Sequence, residues 1–136
     1  MFSTVLFPLD DSRESREAAE MVAQFAKLHQ SQRVVLLSVF EGDAAAPDGS
    51  GGMASHGAIA ELLDNAKSMF ATQGVTTEAL ECQGKPAFAI CDIADEIQAD
   101  VIIMGCRGMG LTEGGAAESV TNRVINLAPC PVLVVP

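Results

Sequence analysis

Val101-Ile102-Ile103-Met104-Gly105-Cys106-Arg107-Gly108-Met109-Gly110 leads, after a polar interval, to Ser119-Val120-Thr121-Asn122-Arg123. An apolar run rich in β-branched residues ends in closely spaced glycines, and a serine then opens a helical pattern. That order predicts a buried strand, a loop and a helix. Glycines let the backbone bend toward a ligand. Successive N–H groups form an anion nest, and a helix N-terminus adds positive potential. The arrangement suits phosphate, although a plain strand–helix connection uses the same residue types. It is neither a dinucleotide fingerprint nor a Walker loop, because no GxGxxG opens the first unit and no GK[ST] occurs.

Outward from this stretch the same alternation repeats. Thr4-Val5-Leu6-Phe7-Pro8-Leu9 is a continuous apolar run, as a strand buried on both faces requires. Asp10-Asp11-Ser12 stops it, and Asp11 with Glu14 forms a capping-box pattern in which Ser12 competes. Ala18, Met21, Val22, Phe25 and Ala26 then recur at helical spacing, which predicts a helix over about 13–29. A second strand is expected from Arg33 to Phe40. Residues 41–57 are dominated by Ala, Gly, Pro, Asp and Ser and read as a long mobile loop.

A second helix follows from Ile59, Leu62, Leu63, Ala66 and Met69 and ends by Gly74. Val75 to Cys82 reads as a less apolar strand, suited to an edge. Pro86 sits at the favoured early position of a third helix, whose apolar residues include Phe88, Ala89, Ile93, Ala94 and Ile97. After the glycine-loop strand, Val120, Val124, Leu127 and Ala128 mark a fourth helix. Pro131-Val132-Leu133-Val134-Val135-Pro136 is the last strand. Five strands alternating with four helices predict one doubly wound α/β domain over 1–136, a parallel sheet covered by helices on both faces. Ligands of such sheets lie beyond the carboxyl ends of the strands, where the strand order switches. Pro8-Leu9-Asp10, Val39-Phe40 and Gly105–Gly108 would meet at that rim.

Composition narrows the function. With 136 residues and 49% hydrophobic content the chain can bury a core, and no apolar run reaches membrane-span length. The N-terminus has no basic region ahead of its apolar run, which argues against a signal peptide and for a cytoplasmic protein. A net charge of −10 opposes binding to nucleic acid or anionic lipid, and the absence of Trp and Tyr removes the best base-stacking platforms. Cys82, Cys91, Cys106 and Cys130 show neither a CxxC pair nor metal-ligand spacing. Three fall in apolar patterns and read as free core thiols in a reducing compartment. Cys106 differs, since a helix N-terminus lowers the pKa of a neighbouring thiol.

The strand ending Phe7-Pro8-Leu9-Asp10, the strand ending Ser38-Val39, Met104-Gly105-Cys106-Arg107-Gly108, Ser119-Val120-Thr121-Asn122-Arg123-Val124 and Cys130-Pro131-Val132-Leu133-Val134-Val135 together resemble the universal stress protein family, in that family's order and over essentially the whole chain. The resemblance implies a Rossmann-like domain that binds AMP, ADP or ATP through a G-x2-G-x9-G-[ST] pattern and acts as a homodimeric stress-response regulator. By position, Gly105 and Gly108 match the first two glycines and Ser119 the final Ser/Thr. The resemblance places Pro8, Leu9 and Asp10 beside adenine and ribose, and Val39 against the base. It places Met104, Gly105, Arg107, Gly108, Ser119, Val120 and Thr121 around the phosphates. Asp10 could also help order Mg²⁺ on the nucleotide, because carboxylate and phosphate oxygens suit that ion. The family's homodimers join along the last strand, here Val132–Val135, whose apolar edge needs cover.

One position departs from the pattern: Glu118 stands where the third glycine belongs. Its bulk and charge crowd a phosphate, and its carboxylate can itself occupy a helix N-terminus. Two unit charges about 4 Å apart repel by roughly 1 to 4 kcal/mol between water-like and protein-surface dielectrics. Glu118 therefore favours AMP or ADP over free ATP. Two alternatives stay open: a ligand-free dimeric adaptor with Glu118 in the phosphate site, and slow ATP hydrolysis, the weaker because no general base stands near Asp10 and Asp11. His29 and His56 read as solvated, Lys85 as either a ribose or phosphate contact across the rim or a solvated residue before a helix, and Arg107 as either a phosphate ligand or an ion-pair partner of Glu113 or Glu118.

Overall fold

The computed structural model of the protein describes residues 2–10, 13–40, 50–105 and 116–136; the side chains of 50–56 and 116–119 lie outside the description. In chain order the elements are β1 (Thr4–Pro8), α1 (Arg13–His29), β2 (Arg33–Phe40), α2 (Ser50–Thr72), β3 (Thr77–Gln83), α3 (Pro86–Glu96), β4 (Val101–Gly105), α4 (Ala116–Leu127) and β5 (Val132–Val135). This is the alternation the sequence predicts.

The strands form one sheet in the order β3-β2-β1-β4-β5, and every pairing is parallel. The order reverses between β1 and β4, so the two successive crossovers to the left of β1 give way to a jump to its right. Continuous apolar strands follow from burial on both faces: Val5, Leu6, Phe7, Val34 to Leu37 and Val101 to Met104 are all nearly inaccessible to solvent. One layer joins Val5, Phe7, Leu36 and Ile103 to α1 and α2 through Ala18, Val22, Leu63 and Phe70. The other joins Leu6, Val35, Leu37, Ile102 and Met104 to α3 and α4 through Ala87, Ile90, Ala94 and Val124. Alternate residues of one strand thus feed opposite layers, as the period of two demands.

Two helix starts differ from the sequence reading. α2 begins at Ser50, so the second part of the expected 41–57 loop is helical, while residues 41–49 lie outside the described residues. Extending an existing helix adds one hydrogen bond per residue without a new nucleus, and Ala54, Ala58 and Ala60 favour that extension over the local glycines. α4 likewise begins at Ala116, three residues ahead of Ser119, because Ala116-Ala117-Glu118 are good helix formers. The expected cap residues Asp11 and Ser12 lie outside the described residues. β3 starts at Thr77 rather than Val75, since Val75 N–H still donates to the Phe70 carbonyl in closing α2 at 2.9 Å.

Candidate functional site

β1 and β4 are neighbours with Val5 level with Val101 and Leu6 with Ile102, and continuing that register sets Leu9 beside Gly105. Leu9 N–H donates to the Leu37 carbonyl at 2.9 Å, which carries the β1–β2 pairing one residue past the strand end. The chain then leaves the sheet at Asp10. On the other side of the switch, buried Gly105 ends β4. Pro8, Leu9, Met104 and Gly105 are all buried, whereas Asp10 and Val39 are half-buried. The expected rim residues of β1, β2 and β4 therefore do stand together at the carboxyl edge. Arg107, Gly108 and Cys106 lie outside the described residues.

Asp10 is held by a reciprocal link. Its N–H donates to Ser15 Oγ at 3.0 Å, and the Ser15 hydroxyl donates to Asp10 Oδ1 at 2.9 Å. Ser15 itself is only 5% exposed. The link ties the end of β1 to the first turn of α1 and holds one carboxylate oxygen of Asp10. Sequence reading passed over Ser15. Its signal was present, because Ser15 falls in phase with Ala18, Ala19 and Val22 on the buried side of α1.

α4 carries three more of the expected residues. Ser119, Val120 and Thr121 lie in its first two turns; Val120 is half-buried and Thr121 is 6% exposed. The N–H groups at the start of an α-helix have no partner within it, and here Ala116, Ala117 and Glu118 carry three of them. Ser119 is thus inside the helix rather than capping it, at the position whose N–H makes the first intrahelical hydrogen bond. Glu118 also falls in this first turn, where a carboxylate is favoured electrostatically.

Beside Asp10 a cavity of about 400 Å³ opens between α1 and α2, over Leu9, Ala19, Leu62, Ala66 and Met69, with Arg16, Glu61 and Asn65 at its polar rim. The sequence did not reveal it, because it depends on how two helices splay. Lys85 is exposed at the N-cap of α3, and its side chain makes no cap hydrogen bond. His29 is exposed but not merely solvated: its ring stacks against Phe25 at 4.4 Å and Phe2 at 5.2 Å between centroids. Among the described residues no group of three or more His, Cys, Asp or Glu could hold a metal ion, and no helix is long and apolar enough to cross a membrane.

Comparison with known proteins gives the family and the fold. The universal stress protein family matches residues 1–136. Universal stress protein Sll1654 of Synechocystis is 58% identical over 137 residues, spanning all of this chain and 87% of its own. A universal stress protein of Archaeoglobus fulgidus in complex with dAMP superposes with a TM-score of 0.78 at 23% identity, covering all of both chains. A universal stress protein in complex with cAMP superposes at 0.79 with 22% identity, over 98% of this chain and 97% of that one. The chain belongs to the universal stress protein family.

Proposed function

We propose that this protein binds an adenine nucleotide at the β1–β4 rim and works as a homodimeric stress-response regulator. The observation that supports this is Asp10, braced by Ser15 beside the switch in strand order, with α4 following β4 in the chain. The donor set has the right chemistry for a nucleotide. A fixed carboxylate accepts from ribose hydroxyls, backbone N–H groups of a helix start receive phosphate oxygens, and the apolar surface beside Asp10 gives a base cover from water. Relatives of the same fold that hold cAMP and dAMP support adenine as the base.

In this reading Pro8, Leu9 and Val39 border the base and ribose, while Met104, Gly105, Arg107, Gly108, Ser119, Val120 and Thr121 surround the phosphates. Mg²⁺ would arrive on the phosphate chain with Asp10 near it. Glu118 adds a negative charge to the first turn of α4 and so disfavours a triphosphate more than a monophosphate. Binding changes the surface that partner proteins read, without chemistry on the nucleotide.

Isothermal titration of the nucleotide-stripped protein with ATP, ADP and AMP, each with and without Mg²⁺, tests the proposal. Micromolar binding with AMP or ADP ahead of free ATP is expected. Glu118→Gly should raise ATP affinity about tenfold relative to AMP, and an unchanged ratio would remove Glu118 as the selector. No heat with any nucleotide would leave the ligand-free adaptor, in which the Glu118 carboxylate takes the place of phosphate. Phosphate release during titration would instead point to hydrolysis.

A further inference from the structure

Two thiols outside the nucleotide rim share one apolar layer. Cys91 lies on α3, directly after buried Ile90, and Cys130 lies in the connection from α4 to β5. Both are free, both are half-buried, and both pack against the layer formed by α3, α4 and one face of the sheet. The backbone brings them toward one place. Ala99 N–H donates to the Ala94 carbonyl at 2.9 Å, turning the end of α3 into β4, and Ile102 N–H donates to the Pro131 carbonyl at 2.9 Å. The end of α3, one turn beyond Cys91, and Pro131, the residue after Cys130, therefore both lie by the start of β4, and both cysteines pack on the same layer. Cys82 has no such access to Cys130, because β3 and β5 are opposite edges of the sheet.

We propose that Cys91 and Cys130 are an oxidation-responsive dithiol that closes into an intramolecular disulfide under hydroperoxide. The bond would close a covalent loop over the stretch of chain that contains β4 and α4. In the first step one thiolate attacks the peroxide: an S–O bond forms, the O–O bond breaks, and the departing oxygen leaves as water. In the second the other thiolate attacks the sulfenic sulfur, forming S–S and breaking S–O, and hydroxide leaves as water. The two sulfurs together give up two electrons, and hydrogen peroxide is reduced to two waters.

The electrostatics agree with a close pair that reacts slowly at rest. Burial pushes both thiols up, with Asp92 adding to the effect on Cys91. At Cys130 the charge of Cys91 adds to burial, followed by that of Asp100, against a smaller opposing hydrogen bond from the Ile102 backbone. The thiols are therefore mostly neutral near neutral pH, and closure should quicken about tenfold per pH unit as thiolate forms.

The test treats the Cys82→Ser/Cys106→Ser chain with hydrogen peroxide, then reads intact mass, thiols titrated after unfolding, and chain size without reductant. The expected product is a single chain lighter by two hydrogens with no titratable thiol, restored by dithiothreitol, and not formed when Cys91→Ser is added. Oxygen adducts with no loss of hydrogen, two thiols still titratable, or a bond between chains would each overturn the proposal. Should the substituted chain fail to fold, peptide mapping of the oxidised unsubstituted protein decides. A Cys91–Cys130 link upholds the pair, and any other pairing, or none, refutes it.

Discussion

Two buried hydroxyls of similar exposure do opposite things. Thr77 is 8% exposed at the start of β3, and its Oγ1 has no hydrogen-bond partner. A hydroxyl buried in that way loses its hydration and gains nothing back. Thr77→Val keeps the β-branched shape that suits a strand and removes the orphaned group. The expected result is a gain of about 1 kcal/mol, seen as a higher urea midpoint at unchanged slope. A lower midpoint would mean the hydroxyl does find a partner. Ser15, by contrast, both donates to and accepts from Asp10. Ser15→Ala removes both of these hydrogen bonds to Asp10, so stability should fall by about 1 kcal/mol. Nucleotide affinity should fall with it. If the affinity holds while the stability falls, Asp10 does not need its brace to meet the ligand.

At the scale of elements, local chemistry and tertiary demand can be weighed separately. Pro86 starts α3 with a preset φ, but Lys85 at its N-cap offers no acceptor to the free N–H groups. Lys85→Asp supplies one and adds a favourable charge to the helix start, for an expected gain of about 1 kcal/mol in thermal or urea unfolding. The β2–β3 register carries its own electrostatic clasp. Arg33 Nε and Nη2 donate to the two carboxylate oxygens of Glu78 at 2.7 and 3.0 Å. The hydrogen bond from Arg33 holds the Glu78 carboxyl below its ordinary value. A depressed folded-state value means that the stabilisation is present above the ordinary carboxylate range and is lost as pH falls through the folded value. Because the pair is exposed, the effect is small and screened by salt. Glu78→Gln should flatten this part of the acid unfolding profile, and an identical profile would assign no role to the clasp.

These same elements show what could be read in advance. β2 and α1 matched the sequence closely, because their apolar spacing and their bounding polar residues agree with each other, whereas β5 lost Pro131 and Pro136 from the expected strand, proline having no N–H to donate. The starts of α2 and α4 did not match, since glycines and a serine near a helix start signal a boundary that neighbouring alanines can override. At the rim, Pro8, Leu9, Asp10, Met104 and Gly105 were legible because strand ends and the order switch place them. Ser15 and the cavity between α1 and α2 were not singled out. Reading them needs the distance between elements, which no local pattern encodes.

The whole molecule is asymmetric at its two edges. β3 carries Glu78 and Glu81, charges that discourage another strand from pairing there. β5 reads Val132-Leu133-Val134-Val135 and has no such guard. Leu133 is 38% exposed, and Ile125 and Leu127 at the end of the preceding helix are about half exposed, at 50% and 49%. An unguarded apolar edge flanked by exposed aliphatic residues is energetically better covered, and a twofold axis lets one β5 cover another. Leu133→Lys places a charge at the centre of that contact and leaves the folded monomer little affected, because Leu133 already meets water. Light scattering should therefore report a dimer for the unsubstituted protein and a monomer for the variant, with similar unfolding midpoints at low concentration. A dimer that persists in the variant would move the interface away from β5. A monomer without the substitution would show that the edge is guarded by something other than a second copy.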